Sequence, residues 1–561
     1  MKKRFFSSFV CVMLIFSLLA GCGYEGGGVT QNKTWADKAL PYDDAVEEAK
    51  VLTSRLKVTT LEPKLDLTAG DTAKDAALAD ISTFPIVVSG NGDIDIEIAA
   101  ATEISADAPD NWLIQIAKKF NKSGCTVGGR SVSVSVRKIT SGEVLTYMVD
   151  GNYRPDLYIP SNFAWGEMLK AKDIEVIKLA DRVAGNTAGI LMSRDKYETF
   201  VGKHGDVTVS GILDAAIAGE LTFAYTNPYT SSTGLNILTA MLHAFDPSDP
   251  LSQKASGKLL SYQENAPTAA YTTAVLRQAA ANGIVDAMVM EEQAYVNTPE
   301  LKNYVYTPAG IRHDHPAYTF AYVPDEAQEA AKLFVEYCQN AESQKAADER
   351  GFNRHDDYVG QDSGLDGAGY LAAQTVWKTN KNGGKPIVAV FVADTSGSMS
   401  GTPLASLKKS LIAASSYIGS DNYIGLVSYS DDVEIDLPIG KFDNTQRSYF
   451  SGAVKGLNAG GGTATYDAVA VALTMLIEKS KEVPNAAMLL FVLSDGEQNK
   501  GYNLDRVAPI VAGLKIPVYT IGYNADGTEL GELSEINEAT LINADSDDIV
   551  NELRNLFNVN M

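Results

Sequence analysis

Apolar runs alternating with amphipathic stretches organise most of this chain. Ile387 to Ala393 is unbroken apolar sequence, the pattern of a strand buried on both faces of a parallel sheet. Thr402 is the expected cap of the next helix, with Pro403 at its first position. Leu404, Leu407, Leu411 and Ile418 continue it at helical spacing. Ala468, Val471, Leu473 and Leu476 predict a further helix, and Ala486 to Leu493 a second buried strand. The alternation also runs from about Asp93 to Phe352: strand Ile94 to Ala100, amphipathic helix Trp112 to Phe120, strand Val132 to Ile139, then a closing helix containing Ala331, Phe334 and Tyr337. Strands separated by helical stretches predict an α/β fold in both regions. Asp43 to Leu56 also has helical spacing, whereas Thr59 to Ala79 reads as loop with short ordered pieces.

The chemistry sits where the buried strands end. Asp394, Ser396 and Ser398 follow the first strand, Gly461-Gly462-Thr463 precedes a helix, and Ser494-Asp495-Gly496 follows the second strand. Asp-x-Ser-x-Ser alone signals little, because both residue types favour turns. Together, the three segments resemble the von Willebrand factor A domain and its metal-ion-dependent adhesion site, over residues 384–561. The resemblance implies a Rossmann-like domain, a mostly parallel sheet flanked by helices. It also implies Asp394, Ser396, Ser398, Thr463 and Asp495 around Mg²⁺, with Mn²⁺ or Ca²⁺ as alternatives, and an acidic residue of a protein partner completing the shell. Hard divalent cations take about six oxygen ligands and seldom draw all of them from protein. Neither histidine nor cysteine occurs in this segment, which disfavours zinc and copper. No nucleophile–base pair is visible, so the expectation is a binding protein and not an enzyme.

The middle region carries Thr140-Ser141-Gly142 after a strand, Pro155 to Ser161 as a strand into a loop, Phe223 to Gly234, Gly283 to Val289, and Ala341 to Phe352 after the closing helix. That order resembles the bacterial type 2 extracellular solute-binding proteins, the group of molybdate, sulfate and iron receptors. The resemblance implies a two-lobed periplasmic-binding-protein-like domain that closes on a small-molecule or oxyanion ligand. The chain would cross between lobes near Ala188 to Ser193 and Tyr304 to Tyr322. Hydroxyls and helix N-termini favour anions, and Ser141, Ser161, Thr230, Ser231, Ser232 and Thr233 occupy the matching loops, with Tyr229 and Tyr295 as possible phenol donors. Glu103 in the first loop argues against an anion if it faces the cleft. His313 and His315 flank Asp314 and read as a solvated turn rather than a metal site, and His355 beside Asp356 and Asp357 as a surface run.

Composition narrows the partners. The 561 residues are 45% hydrophobic and carry a formal charge of −23 with no basic block, which excludes nucleic acid. Lys2, Lys3 and Arg4 precede an apolar core from Phe9 to Leu19, and Leu19-Ala20-Gly21-Cys22 resembles a bacterial lipobox. Residues 1–22 are therefore expected to be a lipoprotein signal peptide, with Cys22 lipidated as the membrane anchor. Cys125 and Cys338 remain, either paired or as two buried thiols. The expected layout is a tether and poorly readable segment at 23–90, the solute-binding-like domain at 91–355, a linker at 356–383 with Trp377 packing on the last domain, and the A domain at 384–561. The expected function is a lipid-anchored protein outside the cytoplasm, at the cell surface or in the periplasm, that grips a protein partner through Mg²⁺. The alternative is a solute receptor of an ABC-type transporter with the A domain as an accessory.

Overall fold

The computed structural model describes residues 35–66, 78, 80–106, 111–264, 276, 285–495, 498–523, 528–537, 541–544, 553, 556–557 and 561. The expectations for residues 1–34, Cys22 included, lie outside them. Among the described residues no helix is long and apolar enough to cross a membrane.

Helix Tyr42–Ser54 leads into β1 (Val58–Thr60). There follow β2 (Ile86–Val88), β3 (Ile94–Ala100), β4 (Thr126–Val127), β5 (Arg130–Lys138), β6 (Leu157–Ile159) and β7 (Val176–Ala180). Next come β8 (Thr187–Ser193), β9 (Phe223–Ala224), β10 (Ala287–Glu291), β11 (Tyr304–Arg312) and β12 (Ala317–Phe320). The C-terminal part holds β13 (Ile387–Asp394), β14 (Tyr423–Tyr429), β15 (Val433–Lys441), β16 (Ala487–Ser494), β17 (Val518–Tyr523) and β18 (Leu541–Ala544). One sheet has the order β2-β5-β3-β6-β12-β7, a second β11-β8-β10-β9, and a third β1-β15-β14-β13-β16-β17-β18. The fold is thus α/β with mixed sheets: two lobes in the middle of the chain, then a parallel-rich sheet.

Sheet membership fixes the lobe crossings. β8 lies wholly in the second lobe, so the first crossing is the stretch between β7 and β8, just before the expected Ala188 to Ser193. The second lies between β11 and β12, inside the expected Tyr304 to Tyr322.

The third sheet is built on the apolar run that opens the sequence reading. Every residue of β13 is buried, and it pairs in parallel with β14 on one side and β16 on the other. Helix Thr402–Ala414 follows, but its cap is Gly401 at φ 86°, with Thr402 and Pro403 inside the first turn. A left-handed backbone there suits glycine, so the sequence places the expected cap one residue late.

Segments read as tether or linker belong to the domains. β1 pairs in parallel with β15, and Leu61 N donates to Ile435 O at 2.9 Å. Ala45, Ala49 and Leu52 of helix Tyr42–Ser54 are buried with Val469, Leu473 and Val511 in one cluster. Asp66 accepts from Ser451 Oγ and Lys455 Nζ, both at 2.6 Å. Residues 35–66 therefore form an arm completing the C-terminal sheet. Near the far end of the expected tether span, but still within it, β2 joins the first lobe. Helix Gly367–Asn380, in the expected linker, packs on the middle domain. Trp377 is buried in the second lobe's core, where Nε1 donates to Tyr225 OH at 2.8 Å, so it does not pack on the A domain. Cys125 and Cys338 are free thiols packed against the first lobe's core.

Candidate metal and solute sites

Parallel strands release their C-terminal ends on one edge of a sheet, where open α/β sheets bind ligands. β13 and β16 end in Asp394 and Ser494, so the first and third polar loops start side by side. Ser396 Oγ lies 3.0 Å from Ser398 Oγ, and Ser398 Oγ donates to Asp495 Oδ1 at 2.9 Å. The second loop docks through main chain: Gly397 N donates to Gly461 O at 3.0 Å, and Gly460 N to Thr395 O at 2.8 Å. Thr463 is clasped by the segment after the third loop. Its N–H donates to Asn499 Oδ1 at 2.9 Å, and its carbonyl accepts from the N–H groups of Asn499 and Lys500. All five residues of the expected metal set thus lie on loops that bond to one another.

The five differ in accessibility. Ser398 is exposed and Asp495 half-buried, whereas Asp394 is 0% exposed. Asp394 Oδ1 accepts from Ser396 N at 2.8 Å; Oδ2 accepts from Tyr429 OH at 3.2 Å and from Ser494 Oγ. Tyr429 OH in turn accepts from Thr465 Oγ1 at 3.2 Å. Tyr429 and Thr465 form no part of the sequence reading; the available signal is that Tyr429 closes β14 as Asp394 closes β13, in paired register. Burial pushes the Asp495 carboxyl up, its bond from Ser398 pulls the other way, and the nearby Asp394 charge pushes it further. No cation is among the groups acting on it. Among the described residues no cluster of three or more His, Cys, Asp or Glu side chains could hold a metal. This donor set, two carboxylates with three hydroxyls, is of another kind, and its neutral oxygens and uncompensated charge fit a hard divalent cation.

In the middle domain the strand-end loops of the first lobe present Glu103, Ser141 and Ser161. Ser141 Oγ and Ser161 Oγ lie 3.5 Å apart. Across from them, Ser231, Ser232 and Thr233 open helix Ser232–Phe245, with Ser231 as its cap. The lobes touch directly: Trp165 Nε1 donates to Ser232 Oγ at 2.8 Å, and Gly142 N to Thr230 O at 3.4 Å. A Cβ on Gly142 would fall 2.0 Å from Tyr229 O, so glycine is needed for this approach. Tyr295 is not brought to the hydroxyls: its OH donates to Tyr304 O at 2.8 Å and its ring stacks on Tyr306. Tyr229 packs on Trp377.

His313 and His315 are not a solvated turn. Both are 0% exposed and tie the second crossing to the two lobes. His315 Nε2 meets Glu103 Oε1 at 3.2 Å, while His313 Nδ1 meets Glu291 Oε1 at 2.7 Å. Asn162 of the first lobe and Asn236 of the second both reach His313 Nε2, at 3.2 and 3.3 Å. Burial pulls His313 down to about 4; at His315 the Glu103 carboxylate overcomes burial and the value is raised. Glu103 is therefore held against an imidazole in the crossing. His355 is partly covered, stacking on Tyr306 and reaching Glu292 at 3.5 Å.

Comparison with known proteins agrees with this division. Residues 102–353 match the bacterial extracellular solute-binding protein family, and residues 389–557 the von Willebrand factor type A domain. A curated relative, the uncharacterised protein sll0103 of Synechocystis sp., is 26% identical over 141 residues, 25% of this chain and 32% of its own length. The chain thus spans about a third of that relative. Similar solved structures include a von Willebrand factor type A protein from Catenulispora acidiphila (22% identity, 31% of this chain and 42% of that one, TM-score 0.28). Two others are the sulfate-binding protein SubI from Mycobacterium tuberculosis (15%, 47% and 88%, TM-score 0.35) and iron-bound HitA from Pseudomonas aeruginosa (14%, 52% and 99%, TM-score 0.38). The chain carries a domain of the bacterial extracellular solute-binding protein family followed by a von Willebrand factor type A domain.

Proposed function

We propose that this protein is a lipid-anchored extracytoplasmic binding protein that grips an acidic group on a protein partner through a divalent cation, Mg²⁺ foremost, in its A domain. The observation carrying this reading is that Ser396, Ser398 and Asp495 are joined beside a buried Asp394, on loops docked to the one that carries Thr463, with no cation acting on Asp495. When bound, the ion supplies an electrophilic position for a carboxylate oxygen of the partner. Ser396 and Ser398 offer neutral oxygens, Asp495 offers the accessible charge, and Asp394 orients the first loop through Ser396 N. The extracellular family of the middle domain and the lipobox at Cys22 support an anchored position outside the cytoplasm. Calorimetric titration of the full chain with Mg²⁺ tests the metal. Wild type is expected to bind saturably and Asp495→Asn to lose binding; Thr463→Ala is expected to lose more partner affinity than metal affinity. An Asp495→Asn variant that binds Mg²⁺ as wild type does would overturn the reading.

A second reading rests on the hydroxyls of Ser141 and Ser161 opposite Ser231 to Thr233, which fit a solute cleft, and makes the chain a transporter's solute receptor. A small ligand that raises the middle domain's melting temperature in the presence of chelator would favour it.

A further inference from the structure

A concavity of ≈ 490 Å³ lies where the first lobe, the second crossing and the segment after the middle domain meet. Its lining contains none of the hydroxyl residues discussed above, and its volume falls in the range of small-molecule sites. The first lobe contributes the rings of Phe163 and Tyr318, the end of β11 contributes Ile311 and Arg312, the crossing contributes Asp314 and Pro316, and the later segment contributes Val359 and Asp362.

The charges of the lining decide what fits. Its carboxylates are Glu167, Asp181, Asp314 and Asp362; its cations are Lys178 and Arg312. Both cations are committed. Arg312 Nε donates to both oxygens of Asp314, at 3.0 and 2.9 Å, and its Nη1 donates to the carbonyls of His355 and Tyr358. Lys178 pairs with Asp181. Glu167 and Asp362 are left without a cation of the lining. Glu167 pairs with Lys170 on its own helix at 2.7 Å, an exposed pair of the kind that contributes little. The buried phenols beside the cavity register the excess. Tyr318 is pushed up by burial and then by Glu167 and Asp181, and Tyr370, whose ring meets Phe163, by burial and then by Asp362. At the rim Val359 is 92% exposed, an apolar side chain that an apolar ligand body would cover.

We propose that this cavity binds an organic ammonium ion with an apolar body, its charge toward Glu167 and Asp362 and its body against Phe163, Tyr318 and Val359. The two carboxylates, unmatched by any cation of the lining, attract the ammonium, and the rings and Val359 cover its apolar body. An occupant would bridge the first lobe, the lobe crossing and the segment leading to helix Gly367–Asn380, and so tie the hinge to the path toward the A domain.

The probe is benzylammonium, titrated into the full chain in excess chelator at fixed ionic strength, with benzoate as its isosteric anion. Benzylammonium is expected to bind saturably and benzoate not to bind. Glu167→Gln with Asp362→Asn is expected to weaken the amine about tenfold, with an unchanged circular dichroism spectrum because both side chains are on the surface. Val359→Ser is expected to weaken it more mildly. Equal binding of benzoate, no saturable binding of the amine, or wild-type affinity in the double variant overturns the proposal. The last result would assign the amine to the interlobe cleft or elsewhere.

Discussion

Asp394→Ala, studied in chelator, separates what this residue does for the fold from what it does for the metal. Its carboxylate accepts three hydrogen bonds inside a fully buried site: from Ser396 N, Tyr429 OH and Ser494 Oγ. Truncation removes an acceptor from both hydroxyls and from Ser396 N, and losing such a buried bond costs about 1–3 kcal/mol. Losing the charge near Asp495 offsets part of this, so the net destabilisation is about 2–5 kcal/mol. A domain of this size loses about 2–4 °C per kcal/mol, which gives a fall of about 4–20 °C. Scanning calorimetry of the full chain reads it, with the middle domain's transition as internal reference. Chelator removes the mass-action contribution of bound ion. Tyr429→Phe is expected to cost about 1–2 kcal/mol in wild type and less on top of Asp394→Ala, where its bond to Asp394 is already gone and only that from Thr465 is still to lose. A C-terminal transition within about 1 °C of wild type, or a Tyr429→Phe effect that simply adds, would refute the reasoning.

Three further outcomes are expected. Asp436, buried in β15, has its carboxyl raised to about 7 by burial, with Glu434 adding and the Ser428 bond opposing. Its unfolded value is about 4, so its contribution is full below about pH 4 and is lost as pH rises toward 7; Asp436→Asn should flatten that slope in melts between acid and neutral pH. Leu52→Ala in the N-terminal arm should lower the C-terminal transition by about 2–5 kcal/mol and leave the middle domain's untouched, because Leu52 is buried only against the C-terminal helices. Cys22→Ala should leave the protein exported but absent from the detergent phase; an unchanged membrane fraction would remove the lipid anchor from the account.

The strand-end chemistry was legible because a fully apolar run both encodes a buried strand and points at the loop that ends it. Asp394, Ser396, Ser398, Thr463 and Asp495 could be named once the three strand-end segments together resembled the adhesion site of the A domain. Asp394's burial was not legible: its donors Tyr429 and Ser494 come from neighbouring strands, and which residue stands beside it depends on parallel register. The same limit hid the arm. Helical spacing marks Asp43 to Leu56, but pairing of Val58 with Val433 is a contact no local pattern encodes. His313 and His315 were misread because a lobe crossing suggests a solvated turn. In the folded chain Glu103 and Glu291 satisfy them at the hinge instead. Trp377 was assigned by proximity in sequence to the following domain, whereas its indole N–H finds the Tyr225 hydroxyl in the preceding one.

The arm also sets how the protein carries force. Residues 35–66 and 384–561 meet in one sheet, so the middle domain is a closed excursion between two points on the same body. On the function proposed above, a pull between an N-terminal anchor and a partner held near Asp394 would enter the C-terminal sheet through helix Tyr42–Ser54 and β1 before it reached the lobes. Once β1 peels from β15, the same tension runs through residues 67–384 and stretches the crossings directly. On that reading, adhesion and the state of the hinge would stay separate for as long as the β1–β15 pairing holds.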